Sequence, residues 1–509
     1  MRTSRGWWAL SGIVAGALGL AMSYAAAALL HVRESPVVAV AEGVTALTPG
    51  AVVKWAINTF DRDDKKVLVV GILVLLTLVF ALIGRVARRQ WWLAVAGYVV
   101  LAGIAFLAVA TKPTPALIDY VPLVVGLLSW VTVLAVLAEV LRRWEVEDGQ
   151  GPDPAHTRRQ FLVAVGGAAA LAAVAGLLGR IAGSARRRAE ESRRLLRIEG
   201  VTAPAVPDGV ELGVEGVTPW ETPSDAFYLI DTAFIKPAIE PTEWSIRIHG
   251  MVDREITLTY RDLVAREITQ DWITLGCVSN EIGGDLVGNA WWSGVRLAPI
   301  LAEAGPHPDA DAVLQTSEDG WTCGTPLAPM MDGRNAMLAV AMNGEPLPIE
   351  HGFPVRTIVP GLYGYVSATK WVVDMEVTTF DRFTAYWTEK GWGERGPVKI
   401  ASRIDVPRSG QDVPAGELVV AGVAWFQHSG ISAVQVQVDG GAWLDAELAN
   451  VASADTWVQW RRVVEVDEGE HRIRVRAVDR EGTPQTGVVA DVLPDGATGW
   501  HTIDVTAQA

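Results

Sequence analysis

Only two cysteines, Cys277 and Cys323, occur in 509 residues. That scarcity excludes a disulfide framework and any Cys-rich zinc or iron–sulfur site, and without a Cys-x-x-Cys-His string there is no covalent c-type haem. Histidine is scarce too. Of eight, His31 and His156 alone fall in the first 200 residues, one at a predicted helix end and one in a loop. A haem inside a bilayer takes two axial histidines at membrane depth, so this part holds none. Basic charge is lacking beyond residue 200, where the net charge is −23 against +8 before it. An acidic surface excludes nucleic-acid binding, which needs a basic footprint.

What fills the first part is apolar. Five blocks, Trp7–Leu30, Val67–Gly84, Trp91–Ala110, Ile118–Leu141 and Phe161–Ala182, are long enough to cross a bilayer, which takes roughly 20 residues. Trp7, Trp8, Trp91 and Trp92 stand at block ends, where amphipathic rings favour the interface. Arginines at Arg2 and Arg5, at Arg85, Arg88 and Arg89, and at Arg142, Arg143, Arg158 and Arg159 predict a cytoplasmic N-terminus. The fifth helix then delivers the rest of the chain to the extracytoplasmic face. Lys65, Lys66 and Arg186–Arg188 run against that orientation. The stretch Val37–Ile57, broken by Glu42, Pro49, Gly50 and Lys54, reads as interfacial or re-entrant. The blocks lack the broken helices and buried charges of a transporter. Residues 1–183 therefore read as a multi-pass anchor in the lipid bilayer of the cell membrane. Residues 184–219, rich in Pro, Gly and Arg, read as a linker opening with a short basic helix, Ala185–Arg197.

One string in the anchor is unusual. HTRRQFLVAV, His156–Val165, resembles a twin-arginine export signal, although such signals normally begin a chain. An internal signal makes sense if the domain after it folds around a cofactor before export.

From about Trp220 the pattern is mixed. WSIRIHG and ITLTY alternate like strands, and LAPILAEAG reads as a short helix stopped by Gly305. DWITLGCVSNEIGG is a strand entering a polar, Gly-rich loop with Cys277 at the junction. Four readings of that cysteine stay open: a buried residue, a disulfide partner of Cys323, a nucleophile lacking a neighbouring base, or a metal thiolate.

TLGCVSNEIGGDLVGNAWWSGVRLAPIL resembles the molybdenum-cysteine segment of the sulfite oxidase family through Thr274, Leu275, Cys277, Asn280, Asn289, Ala290, Trp292 and Gly294. MNGEPLPIEHGFPVRTIVPGLYGYVSATKW resembles that family's pterin-phosphate segment. The resemblance implies a molybdenum-molybdopterin cofactor with Cys277 as the metal's protein ligand. It implies that His351, Arg356 and Lys370 hold the pterin and its phosphate, assisted by backbone amides near Ala368 and Thr369, with Asn280 and Asp319 also in the cofactor site. The fold it implies is a helical membrane part, an α+β molybdopterin domain over 220–394, and an immunoglobulin-like dimerisation sandwich over 395–509. In the sandwich, short strands and turn signals fit, with Gly422–Trp425 and Asp439–Trp443 carrying the likeness. A homodimer is part of the same expectation.

The resemblance has gaps. Ile230, Asp231 and Thr232 stand where the family has an Arg-Asn-His pterin loop. Ile282 replaces an arginine after the cysteine, Trp392 takes a catalytic tyrosine's place, and LPDGATGWHTI lacks a further arginine. Without those charges sulfite loses its charge-assisted bonds. Glu281 and Asp285 would repel an anion if they faced the site. The expected function is an extracytoplasmic two-electron oxygen-atom transfer on an uncharged or cationic substrate, a sulfoxide (small or in a protein) or an N-oxide, with Trp291, Trp292, Tyr363, Tyr365, Trp387 and Trp392 as pocket candidates. Electrons pass through a separate partner. The alternative is a catalytically silent envelope scaffold or binding protein on the same fold.

Overall fold

The computed structural model describes residues 5–30, 32, 36–48, 59, 64–110, 117–146, 154–182, 185–233 and 235–509. The chain divides into two compact units, Met1–Arg186 and Arg187–Ala509. His31 lies outside the described residues, as do Arg2 and the 49–57 part of the expected re-entrant stretch.

The first unit is helical: α1 (Arg5–Leu29), α2 (Pro36–Leu47), α3 (Asp64–Ala87), α4 (Trp91–Ala110), α5 (Val121–Val146) and α6 (Pro154–Ala182). Among the described residues, five helices are long and apolar enough to cross a membrane. α2, with 12 residues, falls short of the roughly 20 that a crossing takes. Small residues let the helices approach closely. A Cβ on Gly12 of α1 would stand 2.0 Å from the Phe80 carbonyl oxygen of α3. Trp130 of α5 donates its indole N–H to the Gly16 carbonyl at 3.0 Å and stacks on Tyr98 with ring centroids 5.3 Å apart.

The helix α7 (Ala185–Leu195) leads into the second unit. The expected basic helix forms, but the expected linker is packed rather than free. Arg193 donates to the carbonyls of Pro346 and Leu347 at 3.1 and 2.9 Å. Ala189 is fully buried with Phe227, Leu347 and Phe353. Composition rich in Pro and Gly marks an absence of regular structure here, and long-range contacts supply the order.

Ten strands follow: β1 (Ser245–Gly250), β2 (Ile256–Thr259), β3 (Ile268–Gly276), β4 (Val287–Arg296), β5 (Ala312–Ser317), β6 (Thr322–Pro326), β7 (Met337–Met342), β8 (Glu345–Pro346), β9 (Arg356–Ile358) and β10 (Val372–Thr378). They form one sheet in the order β2-β1-β10-β5-β6 and another in the order β3-β4-β7-β8, with β9 paired to β7. β3 is buried on both faces from Trp272 to Gly276, so its C-terminal end is a rigid support. The helix Leu297–Ala304 ends at Gly305 in the left-handed conformation, φ 68°, where a glycine meets no Cβ clash.

The C-terminal region is all strand: β11 (Ala401–Val406), β12 (Asp412–Pro414), β13 (Gly416–Trp425), β14 (Ile431–Val438), β15 (Leu444–Asp445), β16 (Glu447–Leu448), β17 (Val458–Val466), β18 (Gly469–Asp479) and β19 (His501–Gln508). Sheets in the orders β11-β13-β17-β16 and β12-β19-β18-β14-β15 pack over one apolar core, consistent with an immunoglobulin-like sandwich. The alternation is visible on β18, where Ile473, Val475 and Ala477 are buried between half-buried or exposed arginines at 472, 474 and 476. Asp439 and Gly440, at φ 47° and 73°, supply the double positive φ that a tight hairpin needs.

Candidate active site

A cleft opens at the end of β3 and the starts of β9 and β10. Its empty volume is about 820 Å³, counting the part open to solvent. Cys277 lines it, as do Ser279, Asp319, Arg356, Ala368 and Lys370, the Phe227–Thr232 loop, and Trp321, Tyr365, Trp371, Trp387 and Trp392.

Cys277 is the first residue after β3. Its loop is closed by Cys277 N–H donating to the Leu286 carbonyl at 2.9 Å and by Leu286 N–H donating to Asn280 Oδ1 at 2.9 Å. Asn280 is thus a loop brace and does not line the cleft. Burial raises the Cys277 pKa, opposed by hydrogen bonds from Ser279 and by the charge of Lys370. A thiol so placed is ionised by a bound cation, since a metal that takes it as ligand removes its proton. Both cysteines are free and buried. Cys323 sits in β6 with its thiol against Thr325 Oγ1 at 3.6 Å, so the disulfide reading falls. Among the described residues no three His, Cys, Asp or Glu side chains gather into a protein-only metal cage.

Two cations line the same cleft as Cys277. Arg356, 4% exposed, donates to the carbonyls of His351 and Ala368 at 3.1 and 3.2 Å and lies 5.1 Å from the Trp292 ring. Its Nε has no partner. Burial draws its pKa down to about 10. Gly352 permits this packing: at φ 108°, a Cβ there would stand 3.0 Å from the Arg356 Cβ. Lys370 pairs with Asp231 at 3.1 Å, and Asp231 also pairs with Lys236. Burial brings Lys370 down to about 8, with Asp231 opposing. The next residue, Trp371, has φ 51°, a left-handed backbone that costs an L-residue about 1–2 kcal/mol. It is held by its buried indole, which donates to the Ile349 carbonyl at 3.0 Å.

His351 lies beside Arg356 rather than on the cleft wall. Its Nε2 meets the Ser224 carbonyl at 2.9 Å, and Nδ1 is buried without a partner. Burial, then the charges of Lys370 and Arg356, push its pKa down to about 3. The unfolded chain takes a proton here near pH 6.5 and the folded chain does not. Stability from this group is therefore full above pH 6.5 and is lost as pH falls toward 3, by roughly 4–5 kcal/mol. Urea titrations of cofactor-free protein between pH 7 and 4 should show that loss in the wild type and a flatter profile in His351→Gln. Equal slopes would contradict the assignment.

Several expectations need correction. The Ala368 amide donates to the Gly364 carbonyl at 3.0 Å, and the Thr369 amide to Thr357 Oγ1 at 2.8 Å. Both are already engaged within the chain, and the contribution of Ala368 is the carbonyl that aims Arg356. Trp291, Trp292 and Tyr363 belong to packed cores, while Tyr365, Trp387 and Trp392 line the cleft. Glu281 and Asp285 do not line it, and Asp319 does. The replaced loop contributes in its own way, Asp231 by pairing with Lys370 and Tyr228 by lining the wall, its phenol pushed up chiefly by burial. Only the departure of that loop from the family pattern signalled these contacts.

Residues 233–387 match the family described as oxidoreductase molybdopterin binding domain. An uncharacterised oxidoreductase of Bacillus subtilis, YuiH, is 32% identical over 180 residues, covering 35% of this chain and 87% of that protein. Human mitochondrial sulfite oxidase is 26% identical over 322 residues, covering 53% of this chain and 58% of that enzyme. Chicken sulfite oxidase is 28% identical over 340 residues, covering 55% of this chain and 72% of that enzyme. The sulfane dehydrogenase SoxCD of Paracoccus pantotrophus is a solved structure with 22% identity and a TM-score of 0.48, covering 61% of this chain and 91% of that one. The cofactor that the match implies is molybdenum held by molybdopterin. The cleft fits such a group: the buried, unpartnered Arg356 Nε–H suits an anion with several oxygen acceptors, and Cys277 offers a soft sulfur donor in the same cleft. Match, fit and the coverage of YuiH together place this chain in the sulfite oxidase-like family of molybdopterin-dependent oxidoreductases.

Proposed function

We propose that the chain is a membrane-anchored oxidoreductase whose molybdopterin domain lies on the extracytoplasmic face and acts on an uncharged oxygen-bearing substrate, a sulfoxide or N-oxide, rather than on sulfite. The observation that carries the substrate reading is the make-up of the cleft. Among the described residues lining it, the cations are Arg356 and Lys370, one bound to backbone carbonyls and the other to Asp231. Ile282 packs against Gly499 of the sandwich instead, and Tyr365, Trp387 and Trp392 form an aromatic wall, with Tyr365 and Trp392 centroids 6.1 Å apart. A dianion desolvated on such a wall meets too few donors.

In this reading Cys277 holds the molybdenum, and Arg356, Lys370 and His351 hold the pterin and its phosphate. Asp231 orients Lys370, and Asp319 borders the pterin. When bound, the cofactor supplies two-electron oxygen-atom transfer. A sulfoxide gives up its oxygen as water on receiving two electrons and two protons, the electrons coming from a separate electron-transfer partner. The aromatic wall excludes water and orients the apolar groups of the substrate. Purified loaded enzyme with a reduced dye is expected to turn over methyl sulfoxides at least about tenfold faster, in kcat/KM, than it oxidises sulfite. A preference for sulfite would refute the substrate reading.

The same proposal covers delivery. Arg158 and Arg159 are exposed on α6, and molybdopterin is inserted before export, so the loaded domain needs a route for folded proteins. Replacing both arginines by lysine nearly preserves charge. The pair is expected to cut protease-accessible, loaded domain at the outer face by about tenfold or more. Unchanged delivery would defeat the export reading. Pairing of two copies through the sandwich belongs to the same proposal, and light scattering in detergent tests it.

A further inference from the structure

β3, whose end leads into Cys277, pairs with β4 on one side only, and the C-terminal sandwich covers its other edge. Thr274, 1% exposed, carries the junction. Its N–H donates to the Asp455 carbonyl at 2.9 Å, and its C=O accepts from Gln427 Nε2 at 3.0 Å. Its hydroxyl accepts from the Trp457 N–H at 2.8 Å and donates to Asn289 Oδ1 at 3.0 Å. The far end of the cysteine loop is held as firmly. Arg403, 8% exposed, donates from Nη1 to the Gly284 carbonyl at 2.7 Å. It is itself fixed by Asp405 at 2.6 Å and Thr218 at 2.7 Å. Between these points the loop lies directly on the sandwich: at Gly283, φ 76°, a Cβ would stand 2.4 Å from the His501 ring.

We propose that the C-terminal sandwich sets the position of the Cys277 thiol, with Thr274 and Arg403 as the positioning residues at the two ends of its loop. A ligand on a loop is no better placed than the loop's supports, and here both supports reach in from the other sheet system. The consequence for metal chemistry rests on Cys277 being the ligand; the positioning does not, and it is read on the thiol itself.

The test uses the full chain in detergent, made in a host without molybdopterin and treated with iodoacetamide. Cys323, 1% exposed, serves as the internal reference. Thr274→Val keeps the shape and both backbone bonds and removes the hydroxyl. It is expected to raise the Cys277 alkylation rate about tenfold while leaving Cys323 unchanged. Thr274→Ser is expected to restore the wild-type rate. Arg403→Lys, which keeps the charge beside Asp405 and loses the reach to Gly284, is expected to act like Thr274→Val. Val436→Ala, in the sandwich core, lowers sandwich stability without touching the junction and is expected to leave Cys277 unchanged. An unaltered rate in both junction variants, or an equal rise in Val436→Ala, would overturn the proposal. On loaded protein, the thiolate-to-molybdenum absorption is expected to shift in Thr274→Val and not in Val436→Ala. Absence of that absorption from loaded wild type, with the alkylation pattern intact, would reject Cys277 as ligand and leave the positioning standing.

Discussion

Cys277→Ser is expected to abolish turnover while the protein keeps its pterin. The two walls of the cleft do separate work. Cys277 offers one soft donor atom, and Arg356 and Lys370 offer charge and hydrogen bonds elsewhere in the cleft, with His351 beside Arg356. A serine hydroxyl at neutral pH is a hard, protonated donor and a poor substitute for a thiolate on a soft site. Loss of a ligand's hydrogen-bonded neighbour alone costs about 10–100-fold, so loss of the ligand is expected to cost more than about 100-fold in kcat. Pterin released on denaturation should stay near the wild-type amount. The fold should be intact, because Cys277 lies at a cleft wall where a smaller, isosteric atom leaves no large cavity. Retained activity would show that the thiol does not hold the reactive metal.

Arg356→Met is expected to give the opposite pattern. Arg356 is buried with an unpartnered Nε, its two other nitrogens bonded to backbone carbonyls rather than to a carboxylate, and burial already draws its pKa down to about 10. Without an anion that charge is a burden on the fold, because desolvation is not repaid. With an anion it becomes one half of a buried charge pair. Truncating such a partner costs about 2–5 kcal/mol, or roughly 30- to 4,000-fold in cofactor retention. Cofactor-free stability is expected to be unchanged or raised, the apolar methionine keeping the contact with Trp292. Loss of cofactor together with a parallel loss of stability would mark Arg356 as merely structural.

Local features of the fold were legible because their causes are local. β3 ends where an apolar run meets a polar, Gly-rich loop, and the helix Leu297–Ala304 stops at a glycine. Cys277, Arg356 and Lys370 converge on one cleft, as the family resemblance implies. What escaped the sequence depends on distant partners. The amides of Ala368 and Thr369 were expected to face the cofactor, and each is taken by a nearby acceptor that only the folded turn supplies. Trp292 and Trp392 look alike in composition. Trp292, on β4, lies under Arg356 in a core, and Trp392, in a loop beyond β10, lies on the cleft wall. Asp231 could be seen as a departure from the family pattern. Its pairing with Lys370, 139 residues away along the chain, could not.

The central claim is that this cleft carries a molybdopterin whose metal sits on Cys277. The most direct test is to measure molybdenum and released pterin per chain in the purified full-length protein, made in a host known to produce the cofactor. Equimolar molybdenum and pterin, with pterin sharply reduced in Arg356→Met and retained in Cys277→Ser, is the predicted result. A wild-type chain that binds neither, while other molybdopterin enzymes in the same cells are loaded, would contradict the account.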